Sequence, residues 1–360
     1  LIAFPIGFGL APAMGCGPPR NTSVDPMLSV DTLIPAPADY AAARVGSGEY
    51  PIPPYAKYLA GVKICLNPGH GGDARKRAFK RGPSGVREAE MNLRVAKYLR
   101  SFLERVGAVV LVTREDDVEL SYEQRARIAT DWGADLFVSI HHNAIDNKPQ
   151  VNYTTVWYHA DVDYRPSNLD LARYLNGGLQ ERLALPQYAT VPLKSDQLMY
   201  ENGFAVLLNA TVTAALSESA FYTNPDEEQR LRQPAYNLRE AHGLFLGLAR
   251  YAAAGLPRAA LMTPAGGIAR AGETLVFELD DGLRGRKAWG HERTMILRDS
   301  IAVRISGRPA AYEFVDDGER YELRVRLPSD LDPGAYHVAL QFQNMNKNSV
   351  LNPNFEIDVR

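Results

Sequence analysis

Apolar and polar positions follow two different textures along this chain, and the change falls near residue 260. From residue 60 onward, short apolar runs alternate with stretches of helical spacing. Residues 62–66 (Val-Lys-Ile-Cys-Leu) form an apolar run ending at Asn67-Pro68-Gly69, which reads as a buried strand. Between residues 88 and 107, Leu93, Ala96, Leu99, Leu103 and Val106 share one face, which predicts a helix closed by Gly107. Residues 108–113 and 136–140 read as strands, with a short helix over 122–132 between them. A fourth strand is expected over 154–159, a helix over 168–183, a strand over 212–219 and a closing helix over 237–251. Such alternation predicts one α/β domain, residues 60–252, whose sheet is covered by helices on both faces.

The second texture has no helical period. Gly255, Pro257, Pro264, Gly266 and Gly267 mark residues 253–267 as a linker. Beyond it, strands are expected over 274–279, 300–305, 321–327, 335–342 and 355–359, with the cleanest alternation in Tyr321-Glu322-Leu323-Arg324-Val325-Arg326-Leu327. This predicts an all-β sandwich over residues 268–360. At the other end, residues 1–16 are apolar and close on Met14-Gly15-Cys16, like an export signal remnant or a lipoprotein-like leader with Cys16 as a lipid anchor. Pro26, Pro35, Pro37, Pro51, Pro53 and Pro54 punctuate residues 17–59, which read as a leader or strap.

Bulk properties narrow the field. A chain of 360 residues favours more than one core. Lysine plus arginine (40) nearly balances aspartate plus glutamate (42), so nothing points to a nucleic-acid partner. The two cysteines make neither a disulfide framework nor a metal cluster, and Cys65 within its apolar run reads as a buried structural thiol. No internal apolar stretch is long enough for a membrane-spanning helix.

Candidate chemistry gathers at strand ends. His70 follows the first strand, and His141 and His142 follow the third, where α/β folds form their ligand crevice. Two histidines with a glutamate make a catalytic zinc set that leaves a position open. Glu88, opening the first helix, is the best third ligand; Glu90 would point some 200° away around the helix. Glu218 lies near the end of an apolar strand, where a carboxylate is expensive unless paired or beside a metal, and it is the candidate general base. Arg114 and Arg125 sit in apolar surroundings and read as buried pairing residues, with Glu115, Asp116, Asp117 and Glu123 as candidate partners. Arg75, Lys76, Arg77, Lys80 and Arg81 form a basic loop, either solvated or attracting an acidic polymer or a peptide carboxylate. His159 reads as a surface or groove-rim residue, and His242 and His337 as structural.

These segments, taken in order, resemble the zinc-dependent N-acetylmuramoyl-L-alanine amidases that process septal peptidoglycan. The resemblance rests on residues 64–72 (Ile-Cys-Leu-Asn-Pro-Gly-His-Gly-Gly), 88–93 (Glu-Ala-Glu-Met-Asn-Leu), Val112-Thr113-Arg114, 134–144 around Ser139-Ile140-His141-His142-Asn143, and 218–225 starting at Glu218. It implies a mixed sheet flanked by helices, with Zn2+ at the strand ends on His70, Glu88 and His141, and Glu218 as the catalytic glutamate. His142 is not a ligand by this resemblance; with Asn143, Arg114 and Arg125 it would support the site or touch substrate. Peptidoglycan would be the substrate, outside the cytoplasm. Some relatives carry an inhibitory helix that a partner displaces, so an activator protein is an implied partner, and residues 186–202 leave room for a short cover. Ser219-Ala220 and the basic loop 73–87 depart from the family pattern. The competing readings are a zinc peptidase acting within the stem peptide and a non-catalytic wall-binding protein.

Overall fold

The computed structural model describes residues 50–76, 79–160, 165–187, 189–283, 295–317 and 320–360. Cys16 and most of the Pro-rich stretch lie outside the described residues. Six strands of the first half form one mixed sheet: β1 (Lys63–Pro68), β2 (Val109–Val112), β3 (Leu136–Asn143), β4 (Thr155–Tyr158), β5 (Leu193–Ser195) and β6 (Thr213–Phe221). Their order is β2-β1-β3-β6-β4-β5. β1, β2, β3 and β6 run parallel, whereas β4 is antiparallel to β6 and carries β5 parallel to itself.

The helices are α1 (Glu88–Arg105), α2 (Tyr122–Asp131), α3 (Ser167–Leu183), α4 (Ala205–Leu208), α5 (Pro225–Leu231) and α6 (Pro234–Ala253). Successive strand side chains point to opposite faces. Ile64, Leu66, Val138, Ile140 and Ala215 therefore enter a core built with α1, α3 and α6. Their neighbours Cys65, Phe137, Ala214 and Leu216 pack on the other face with residues of α2 and α4. Burial on both faces is why these strands read as continuous apolar runs. It also pushes the Cys65 thiol up to about 12, which suits a packing role. α2 starts at a capping box in which Ser121 and Gln124 satisfy each other's backbone N–H groups.

In the second half, β7 (Arg258–Thr263), β8 (Ile268–Ala269), β9 (Thr274–Asp280), β10 (Ile296–Ile305), β11 (Arg308–Pro309), β12 (Tyr312–Asp316), β13 (Tyr321–Arg326), β14 (Gly334–Asn344) and β15 (Asn354–Val359) form two sheets. Their orders are β11-β10-β14-β15-β8 and β12-β13-β9-β7. A core of Leu275, Phe277, Leu323, Val325, Leu340 and Phe342 lies between them.

Four expectations change here. Residues 253–267 are more than a linker, because Arg258–Thr263 pairs antiparallel with β9. Pro257 and Pro264 flank the strand without interrupting its ladder. The end of the Pro-rich stretch is a built part of the first core: Tyr50, Ala56 and Leu59 are buried, and Pro54–Leu59 forms a 3-10 turn against α6. Of residues 186–202, expected to leave room for a short cover, the part after Ser195 lies away from the site. β5 runs parallel to β4 and hence away from the carboxyl ends of β1, β3 and β6, so the turn after Ser195 lies at the opposite end of the sheet. It is anchored by Asp196, whose carboxylate accepts from Phe204 N (2.8 Å) and faces His159 Nδ1 (3.1 Å). His159 is accordingly buried, and neither a surface nor a rim residue.

The loop after β14 joins the two halves. Asn352 Oδ1 accepts from Thr213 N at 2.7 Å, and Asn352 Nδ2 donates to Ala134 O at 3.1 Å. Ser349 N donates to Asp170 Oδ2 at 2.9 Å, and Tyr174 Oη donates to Asn348 Oδ1 at 3.2 Å. Thr213 opens β6 and Ala134 precedes β3, so the sandwich sits at the amino ends of these strands.

Candidate metal centre

Four predicted residues meet at the carboxyl ends of the parallel strands. β1 delivers His70 through Gly69, α1 opens on Glu88, and β3 and β6 place His141 and Glu218 opposite each other in register. His70 Nε2 and His141 Nδ1 each lie 3.0 Å from Glu88 Oε1. One ligand atom from each of the three falls within 4.8 Å of the others, a grouping able to hold a metal ion. Gly69 is required by close approach, because a Cβ there would collide with the imidazole of His141. His70 itself has φ of 58°, a left-handed conformation that costs a non-glycine residue about 1–2 kcal/mol.

Two buried arginines hold that turn. Arg114 donates to Pro68 O (2.9 Å), Gly69 O (2.8 Å) and Ala89 O (2.7 Å), tying the His70 turn to the start of α1. Arg125 donates to Pro68 O (2.9 Å), to His70 O (2.7 Å) and to Asn67 Oδ1 (2.9 Å). Their hydrogen-bond partners are thus carbonyl oxygens, and not the carboxylates of Glu115, Asp116, Asp117 or Glu123. The turn exposes more backbone acceptors than backbone donors can reach, and guanidinium groups fill the deficit. Burial, then the charge of Arg125, brings Arg114 down to about 9.

The basic loop between residues 73 and 87 is closed at its base. Arg87, 1% exposed, pairs with Asp73 and with Asp117 (2.7 Å). Arg81 donates to Ala74 O (2.8 Å) and Gly85 O (3.1 Å), and Glu228 of α5 accepts from Ser84 N and Val86 N. Lys80 O accepts from Glu88 N at 3.0 Å, and the exposed Phe79 ring stands edge-on to His70, with centroids 6.2 Å apart.

The charges are graded. Burial opposes ionisation of Glu88, yet the neighbouring His70 and His141 hold its carboxyl well below the usual range. Burial, then repulsion from Glu88, holds Glu218 well above it. Burial also lowers His141 to about 4, leaving a neutral imidazole. Glu88 Oε2 and Glu218 Oε2 are both shut off from solvent without a hydrogen-bond partner. Two unfilled carboxylate oxygens beside a neutral imidazole form a cradle for a cation, and a carboxyl whose pKa is held well above the usual range beside it suits proton transfer.

His142 points away from this cradle. Its ring is held at both nitrogens, by Asn92 Oδ1 (2.8 Å) and Glu240 Oε2 (2.9 Å). Although burial opposes its charge, Glu240 holds His142 above the ordinary imidazole value. Asn143 ends β3, where its carbonyl accepts from Tyr222 N at 3.0 Å and its side chain from Ala144 N at 2.8 Å. Asn92 and Glu240 were not singled out from the sequence.

A mixed α/β sheet with a His-Glu-His group at its strand ends defines the class, and comparison with known proteins supplies the family. The family model for N-acetylmuramoyl-L-alanine amidase matches residues 64–250. The chain belongs to this family. It is 28% identical over 218 residues to the germination-specific N-acetylmuramoyl-L-alanine amidase of Bacillus subtilis, covering 55% of this chain and 83% of that one. It is 30% identical to the amidase LytC of the same organism over 54% of this chain, which spans 36% of LytC. Among solved structures, the amidase AmiC2 of Nostoc punctiforme aligns with TM-score 0.47 and 25% identity, over 53% of this chain and 98% of that one.

Proposed function

We propose that this chain hydrolyses the amide bond between N-acetylmuramic acid and L-alanine in peptidoglycan, with Zn2+ held by His70, Glu88 and His141. The observation that carries the reading is the convergence of these three side chains, with Glu218 in register beside His141, in a chain of the amidase family. The donor set fits zinc: two imidazoles and one carboxylate, with room for a further ligand. When bound, zinc supplies Lewis acidity, polarising the scissile carbonyl and acidifying water.

The rest is the work of the chain. Glu218 takes a proton as the water oxygen bonds to the lactyl carbonyl carbon. The same carboxyl then delivers that proton to the alanine nitrogen as the C–N bond breaks. Its raised pKa fits it to hold the proton between these events. His70 and His141 must stay neutral to serve as ligands, and burial favours this at His141. Arg114 and Arg125 keep the His70 turn in place while the substrate enters. Peptidoglycan lies outside the cytoplasm, so the chain acts in the cell envelope.

The test is mass spectrometry of products released from purified peptidoglycan by wild type, by chelated protein and by Glu218→Gln. Stem peptides beginning with free alanine are expected, lost on chelation. The variant should keep zinc while turnover drops about 10²–10⁴-fold. Cleavage inside the stem would replace the amidase by a zinc peptidase, and no release under any condition would favour a wall-binding role.

A further inference from the structure

We infer that Glu240 and Asn92 are positioning residues for the metal ligands, acting through His142; the inference rests on the metal reading of the site above.

The geometry is a chain of hydrogen bonds crossing three elements. Asn92 lies one helical turn after Glu88 on α1, on the same face. Its Nδ2 lies 3.2 Å from Gly69 O and 3.5 Å from Glu88 Oε1. A carbonyl can only accept, so the amide nitrogen must face Gly69 and the amide oxygen must face His142. His142 Nδ1 therefore carries a hydrogen toward Asn92, and its Nε2 is left for Glu240. The backbone N–H of His142 also points at Glu88 Oε1, at 3.3 Å. The trio thus touches every segment that bears a ligand: the turn before His70, the first turn of α1 with Glu88, and the residue after His141.

Glu240 is the unexpected member. It belongs to α6, which carries none of the candidate ligands, and it is fully buried on a helix that packs into the core. A buried carboxylate is rarely worth its desolvation as a source of stability; apolar residues of similar volume commonly do as well or better. Its Oε1 has no hydrogen-bond partner, so the fold carries an added cost there. What the carboxylate does achieve is to fix the ring of His142, and with it the orientation of Asn92. Groups that orient metal ligands in this way commonly set metal affinity, because a ligand free to rotate must be ordered at each binding event.

The experiment uses the full chain as wild type, Glu240→Gln and Asn92→Leu. Asn92→Leu removes the link to Glu88 while leaving the Glu240–His142 pair intact. Zinc dissociation constants are measured by competition with a chromophoric chelator, beside circular dichroism, thermal melting, and kcat and KM on peptidoglycan fragments. Folded variants are expected to bind zinc about 10–100-fold more weakly, with kcat at saturating zinc lowered more than KM is raised. A purely structural role would lower the melting temperature and leave the zinc constant of the folded protein unchanged; that result in either variant overturns the inference. Failure of both to fold with zinc supplied would make the trio a core element only, and overturns it too. Wild type that binds no zinc would instead sink the metal reading, and this inference with it.

Discussion

At Glu218 the role proposed for the carboxyl and the stability of the fold oppose each other. Its folded-state pKa is raised, first by burial and then by Glu88. Above the ordinary carboxylate value of 4.5, the unfolded chain releases this proton while the folded chain retains it. Its contribution to stability is therefore present below that value and lost as pH rises through the folded one. Glutamine cannot ionise. Glu218→Gln should raise the melting temperature of the metal-free protein at about pH 7 and lose that gain below about pH 4.5. Calorimetry across this range, with chelator present, checks it; a gain independent of pH would assign the effect to packing. The residues of the cradle were legible because each sits where a predicted strand or helix changes into loop. Asn92 and Glu240 were not, since polar side chains on a helix read as its solvated face until a second helix is known to cover them. The partners of Arg114 and Arg125 were missed for another reason. Sequence displays carboxylates and conceals carbonyls, and the acceptors around His70 are backbone.

At the scale of elements, the loop between Asp73 and Arg87 is a closed unit. Arg87 stands between two carboxylates at its base, and Glu228 holds its far side. Arg87→Leu would leave Asp73 and Asp117 buried without their direct ion-pair partner, Arg81 and Arg114 acting on them only from farther off, which should cost up to about 3–5 kcal/mol. Urea unfolding followed by circular dichroism reads this as a lowered midpoint with the slope unchanged. A loss below about 1 kcal/mol would show that the loop is held without its arginine. Strands with an apolar run or clean alternation, such as β1, β3 and β13, were visible in advance. β5 spans only Leu193–Ser195 and takes its form from β4 beside it. β12 alternates poorly, with Glu313 and Asp316 among its residues, and depends on pairing with β13. β7 was hidden by the prolines on either side of it. In each, partners in space outweigh local propensity.

Over the whole molecule, the two halves meet through side-chain amides. Asn344, Asn348 and Asn352 bond to backbone or side-chain atoms of the first half, and Arg258 pairs with Asp135 at 2.8 Å. Leu351 enters the first core beside them. Replacing both Asn348 and Asn352 by alanine should remove about 0.5–1.5 kcal/mol for each bond lost and uncouple the halves. Calorimetry should then resolve two transitions where wild type gives one, and a single transition in the double variant would mean that apolar contact alone joins them. None of this could be read in sequence, where the asparagines look like an ordinary surface loop.

The left-handed backbone at His70 has a consequence for how such a chain can change over generations. Asparagine and glycine adopt that conformation more readily than histidine. Either would relax the turn, and neither would supply the imidazole. Loss of the imidazole is therefore the downhill path for the backbone at this position. Under the metal reading proposed above, the small backbone cost at His70 is what the fold gives up to present an imidazole there.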